Sequence, residues 1–115
     1  MKDITGNTLR GHLETLVLAI LEKGEAHGFE ILRRLKHESG GALNLKEGSL
    51  YPALYRLEEM GCIIGNWEGE SEERARGPRR RIYALTPKGE KDLAQRREEW
   101  RQFTTIIGRI VEGRS

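Results

Sequence analysis

The sequence predicts a mainly α-helical fold with one small β-hairpin and a long C-terminal helix. Three observations lead there. Ahead of Gly61, apolar residues recur in three segments at the three- and four-residue spacing of amphipathic helices. Two β-branched and aromatic segments, Cys62 to Trp67 and Arg81 to Thr86, then flank a stretch without a large apolar residue, as the strands of a hairpin flank its tip. From Pro87 to about Glu112 the residues favour helix, and Leu93, Trp100, Phe103, Ile107 and Ile110 follow one another at heptad-like spacing, the pattern of a helix seam.

A chain of 115 residues has room for one domain and one modest core. With 37% hydrophobic and 33% charged residues, that core carries a heavily charged surface. The net charge is only +2, so any surface for nucleic acid must be a local patch. Cys62 is the single cysteine, which excludes an internal disulfide and fits a reducing cytoplasm. Residues 1–7 contain no apolar signal region, and no apolar run is long enough to span a bilayer, so no membrane partner is expected.

In order along the chain, residues 1–7 read as a loose arm. A first helix is expected from about Thr8 to Lys23, with Leu9, Leu13, Leu16, Val17, Ile20 and Leu21 as its stripe. Leu18 and Ala19 make its second half apolar nearly all round, which calls for cover on two sides: its own core and, most simply, a second subunit. Glu25 to Gly28 reads as a turn. A second helix runs from Gly28 to Glu38 with Phe29, Ile31, Leu32 and Leu35 inward, and Leu43 and Leu45 alternate about Asn44 like a short strand. The third helix spans Glu47 to Gly61, with Leu50, Ala53, Leu54, Leu57 and Met60 inward and Ser49, Tyr51, Tyr55, Arg56 and Glu59 outward. Its start is open. With Ser49 as N-cap, Pro52 sits harmlessly at the third helical position; with a start nearer Glu47 it lies deeper. Gly61 ends the helix. The hairpin tip, residues 68–80, has its charge sorted, with glutamates first and then arginines. Thr86 and Pro87 form an N-cap and first helical residue.

Three helices followed by a ribbon with a basic tip is the order of a winged helix-turn-helix, in which the third helix enters the DNA major groove and the ribbon tip approaches the flanking backbone or minor groove. On this reading residues 1–86 form the DNA-binding domain, with residues 1–7 an arm and 68–80 the wing, and residues 87–115 form a dimerisation helix. Tyrosines and an arginine on the outward face of the third helix suit phosphate oxygens and base edges. A dimer would set two such helices about one DNA turn apart, on a pseudo-palindromic operator in double-stranded DNA.

The runs Leu16 to Leu21, His27-Gly28-Phe29-Glu30-Ile31, Glu47 to Leu54, Arg56-Leu57-Glu58 and Arg80 to Gly89 resemble PadR-type transcriptional regulators, of the short subclass with a single C-terminal dimerisation helix. Gly48-Ser49-Leu50-Tyr51-Pro52-Ala53-Leu54 is the most specific of these, and the resemblance covers about residues 9–111. It implies a dimeric repressor that responds to small aromatic or cationic compounds. It assigns Ser49, Tyr51, Pro52, Tyr55 and Arg56 to the recognition helix and Arg79 and Arg80 to the wing. Trp100 matches a tryptophan that lines a cavity at the dimer interface. Three features depart from the family pattern: Phe29 replaces a usual tyrosine, Ile82 replaces a common aromatic, and the first half of the wing is acidic.

Leu93, Trp100, Phe103, Ile107 and Ile110 are therefore expected at the dimer interface. His12, Thr15, Trp100 and Phe103 are expected around a ligand pocket, to which Glu14, Glu22 and Glu98 would give a preference for cations. Cys62, beside Ile63 and Ile64, reads as a small buried residue. His12, His27 and His37 lack metal-ligand spacing, and no nucleophile–base pair or phosphate-cradling glycine loop appears, so neither a metal, a cofactor nor an enzyme activity is expected. The alternative is a winged-helix protein-interaction module that does not bind DNA.

Overall fold

The computed structural model describes Leu9 and residues 11–68 and 80–113. Within them the chain forms α1 (Leu13–Glu22), β1 (Ala26–His27), α2 (Gly28–Glu38), α3 (Glu47–Glu59), β2 (Ile63–Trp67), β3 (Arg81–Leu85) and α4 (Pro87–Val111). The strands make one antiparallel sheet in the order β1-β3-β2. The core lies between α1, α2, α3 and this sheet, with Val17, Leu18, Ile31, Leu35, Leu50, Leu54 and Leu57 sealed at its centre.

Several local expectations are corrected. The expected first helix is interrupted at Gly11, whose left-handed φ of +84° breaks the helical path; Leu9, itself helical, still reaches the core, and α1 begins at Leu13. Thr8 lies outside the described residues. The expected turn at Ala26–His27 is a third strand, pairing Ala26 with Tyr83 and His27 with Ile82. That pairing satisfies backbone groups on the inner edge of β3. Residues 42–46 form no strand; the Leu43 amide bonds instead to the Ser39 hydroxyl at 2.8 Å. Phe29 is 64% exposed, since residues two apart lie on nearly opposite sides of a helix and Ile31 takes the inward position. Met60, the C-cap residue of α3, is also exposed.

α3 starts at Glu47, so Pro52 sits inside the helix. Its missing N–H deprives the Gly48 carbonyl of a donor, at a residue that faces solvent. The other end of α3 closes with a Schellman turn. Gly61 takes φ +76°, its N–H reaches the Glu58 carbonyl at 3.0 Å, and the Cys62 N–H reaches the Leu57 carbonyl at 2.9 Å.

That turn is also where α4 is attached. Thr86 caps α4 by accepting from the Gly89 N–H at 3.0 Å, and its hydroxyl donates to the Gly61 carbonyl at 2.6 Å. The Thr86 N–H bonds to the Cys62 carbonyl at 3.1 Å, and Lys88 Nζ donates to the Met60 carbonyl. Gly89 lies so close to this turn that a Cβ there would fall 2.0 Å from the Cys62 carbonyl oxygen. Four residues on, Leu93 is completely buried in the domain core. Leu93 is therefore not a dimer-seam residue as the heptad spacing suggested, because its own domain already covers it. The core includes the start of α4, and the helix runs on beside α1 through Arg96, Arg97 and Trp100 before its exposed apolar end.

The base of the wing is tied to α3. Arg81 stacks over the Trp67 ring at 5.4 Å and donates to Glu58 at 2.9 Å. Gly65 makes room for this path, because a Cβ there would lie 2.6 Å from Arg81 Nε. Wing residues 69–79 lie outside the described residues.

Two glycine-to-alanine substitutions are expected to act with opposite sign. Gly89→Ala forces backbone apart at the α3–α4 joint and should cost about 1–3 kcal/mol or more. Gly48→Ala, in open space on α3, should stabilise by up to about 1 kcal/mol. Urea unfolding midpoints of the two variants measure both effects.

Candidate nucleic-acid interface and the neighbouring cleft

The outward face of α3 carries Ser49, Tyr51, Pro52, Tyr55, Arg56 and Glu59, all exposed. At 100° per residue, Pro52 and Glu59 lie along the crest, with the tyrosines on one flank and Ser49 and Arg56 on the other. Tyr55 is 63% exposed and free to meet a ligand. Tyr51 is 39% exposed, and its ring lies against the start of α2. A Cβ at Gly28 would come within 2.3 Å of the Tyr51 hydroxyl, so Gly28 is what lets α2 and α3 approach at this point.

Arg56 is not free. Its Nε donates to Glu14 Oε2, on α1, at 2.6 Å. Glu14 Oε1 in turn lies 3.6 Å from Arg96 on α4, and Arg96 is held by Asp92 at 2.8 Å and by the Thr15 hydroxyl at 3.0 Å. Nothing in the spacing along the chain pointed to Glu14, which stands 42 residues from Arg56. On the wing side, Arg80 is exposed and approaches His27 Nε2 at 3.2 Å, with no carboxylate partner among the described residues. Arg79, expected to contact DNA, lies outside the described residues.

The four expected pocket residues come together. His12 and Thr15 of the α1 region and Trp100 and Phe103 of α4 line a cleft of about 420 Å³. Trp100 meets the His12 ring edge-on at 5.5 Å and stacks with Phe103 at 6.1 Å. Trp100 also borders a second cleft of about 360 Å³, walled by Leu9, Leu16, Ala19 and Leu93. The carboxylates expected to favour cations are engaged elsewhere: Glu14 with Arg56 and Arg96, Glu22 with Arg97, and Glu98 with Arg101. Asp92 and Glu99 are the acids that line the cleft. Beyond it, Ile107 and Ile110 are exposed, and so are Ile106 and Val111, which the heptad reading passed over.

Burial pushes the Cys62 thiol above its ordinary pKa, and the neighbouring Asp92 carboxylate raises it further, so the thiol stays protonated near neutrality. The hydrogen bonds from Arg97 hold the Glu22 carboxyl below its usual range, and those from Arg33 and Arg34 do the same for Glu30. Among the described residues no group of three His, Cys, Asp or Glu side chains could hold a metal ion, and no helix is long and apolar enough to cross a membrane.

An α3 presented on a three-helix body, beside a strand ribbon and followed by a projecting helix, defines a winged-helix regulator. Residues 17–95 match the model of the transcriptional regulator PadR-like family. Among curated proteins, the negative transcriptional regulator PadR of Bacillus subtilis is 30% identical over 83 residues, which is 70% of this chain but 42% of that longer protein. Among solved structures, a transcriptional regulator from Clostridium thermocellum is 31% identical with a TM-score of 0.81, covering 94% of this chain and 98% of its own. A PadR family transcription regulator from Clostridium difficile is 32% identical with a TM-score of 0.73, covering 88% and 99%. The chain belongs to the PadR-like family of transcriptional regulators, which are DNA-binding regulators and not enzymes.

Two solution properties follow from the side-chain environments. Because the Glu22 pKa is lowered on folding, the Arg97 clamp between α1 and α4 contributes fully above the unfolded value of 4.5 and fades as pH falls through the folded one. Unfolding midpoints should therefore drop on acidification less in Glu22→Gln than in the unaltered protein. Cys62 should resist a thiol reagent such as iodoacetamide in the native protein and react once the chain is unfolded in urea, with mass spectrometry as the readout.

Proposed function

We propose that the protein is a cytoplasmic, homodimeric repressor that binds a pseudo-palindromic operator and leaves it when a small aromatic or cationic ligand occupies the dimer. Residues 1–86 would carry the DNA contacts and residues 87–115 the dimer contacts. The observation that carries this reading is the outward face of α3. Two tyrosines, a serine and an arginine stand together on a short helix that the core holds from behind. Side chains of this kind hydrogen-bond base edges and phosphates, and the helix fits a major groove. Arg80 at the wing base supports it as a cation with no carboxylate partner among the described residues.

The dimer rests on the far half of α4. Trp100, Phe103, Ile106, Ile107, Ile110 and Val111 are all exposed, with Ile110 at 75%. One helix with that much uncovered apolar surface is soluble when a second copy covers it. The cleft around Trp100 supports the ligand, since stacked rings beside the Glu99 carboxylate suit a flat molecule with a positive group. A ligand acts here only by binding the two dimer forms unequally.

Tyr55→Ala and Arg56→Ala are each expected to weaken binding to the DNA upstream of the protein's own gene by about 1–3 kcal/mol, measured by band shift. Binding should also fall steeply with salt. Ile107→Glu combined with Ile110→Glu should yield a folded monomer by light scattering. Unchanged affinity in both α3 variants would remove α3 from the groove, and absence of retardation at low salt would favour a protein-interaction module instead.

A further inference from the structure

Glu14 stands between the α3 face and the cleft, and it holds an arginine on each side. Its Oε2 accepts from Arg56 at 2.6 Å, and its Oε1 lies 3.6 Å from Arg96. Arg96 lines the cleft and is steered there by Asp92 and the Thr15 hydroxyl. One carboxylate thus serves two guanidiniums, and the charge it offers one depends on how firmly the other is engaged.

We propose that Glu14 is a positioning residue that withholds Arg56 from DNA, and that Arg96 sets how tightly it does so from the wall of the cleft. This rests on the reading of α3 as the DNA-contacting helix. A phosphate that recruits Arg56 must displace Glu14, so the measured DNA affinity is a difference between two pairings of the same guanidinium. Glu14 is about three-quarters buried, so its hold on Arg56 is screened less than that of a fully exposed pair. When Arg96 is drawn away from Glu14, the carboxylate turns wholly to Arg56 and DNA binding weakens. An anionic group seated in the cleft against Arg96 would do this, acting as loss of the Arg96 charge does. The pairs therefore join the cleft to the recognition helix within one protomer, separately from any change in the spacing of the two protomers.

The test compares Glu14→Gln, Arg96→Gln and the double variant, as full chains, on a duplex carrying the DNA upstream of the protein's own gene. Fluorescence anisotropy across a salt series reads affinity. Glu14→Gln is expected to bind roughly two- to fivefold tighter, the range that an ion pair of this exposure corresponds to. Its salt slope should steepen by about 0.9 for each further phosphate that the released arginine neutralises. Arg96→Gln should bind more weakly by a similar factor, and the double variant should behave as Glu14→Gln alone, because Arg96 acts only through Glu14. A readout free of DNA is the Arg56 Nε–H resonance, which should move in Arg96→Gln as well as in Glu14→Gln. Unchanged or weaker binding by Glu14→Gln, or additive effects in the double variant, would overturn the proposal. If Arg56→Ala and Tyr55→Ala both bind normally too, the groove assignment falls with it; if either is impaired, the assignment stands and only the role of Glu14 is lost.

Discussion

The contact of the α4 backbone with the turn that ends α3 is the constraint on which the rest of the molecule depends. The turn over residues 60–62 offers carbonyl oxygens; Thr86 takes up those of Gly61 and Cys62, and Lys88 that of Met60. Gly89 allows this because nothing larger than hydrogen fits against the Cys62 carbonyl. The direction of α4 is thereby set at this joint by hydrogen bonds from the Thr86 main chain and from the Thr86 and Lys88 side chains to the carbonyls that end α3. Leu93 then anchors the next turn in the core, and the helix leaves the domain at an angle defined relative to α3.

Around that joint the charged residues are organised in pairs that cross between elements. Arg81 ties the ribbon to α3 through Glu58, Arg97 ties α4 to α1 through Glu22, and Arg96 ties α4 to α1 through Glu14. Pairs this exposed add little stability each. Their larger effect is on availability. An arginine that already has a carboxylate meets phosphate only by leaving it, whereas Arg80, beside His27, has none to leave among the described residues. The near-neutral net charge of the chain thus conceals a surface on which most described arginines are matched and a few are not.

The periodic parts of this fold were legible in the sequence. The apolar stripes of α2 and α3, the two hairpin strands and the Thr86-Pro87 start of α4 stand within a residue or two of expectation. What escaped was of two kinds. Glycine conformations are silent in a hydropathy pattern, so Gly11 interrupts a helix that the stripe alone carries through without a break. Contacts between distant residues leave no mark on spacing either. Ala26 and His27 form a strand only because β3 has an open edge, and Glu14 meets Arg56 only because α1 packs beside α3. Heptad spacing likewise placed Leu93 with Ile107 and Ile110, although the first turns of α4 belong to the core. The four cleft residues did converge, because Thr15, Trp100 and Phe103 sit on helices whose phase was readable, His12 caps the first of them, and the two helices lie side by side.

The two tryptophans divide the molecule between them. Trp67 stacks with a guanidinium at the foot of the ribbon, and Trp100 lies between two aromatic rings in the cleft. Indole emission depends on nearby charge and polarity, so each ring reports on its own surroundings. The protein consequently carries a built-in pair of optical probes, and replacing either ring with phenylalanine would leave a native single-colour sensor, of the ribbon in one case and of the interhelical space in the other.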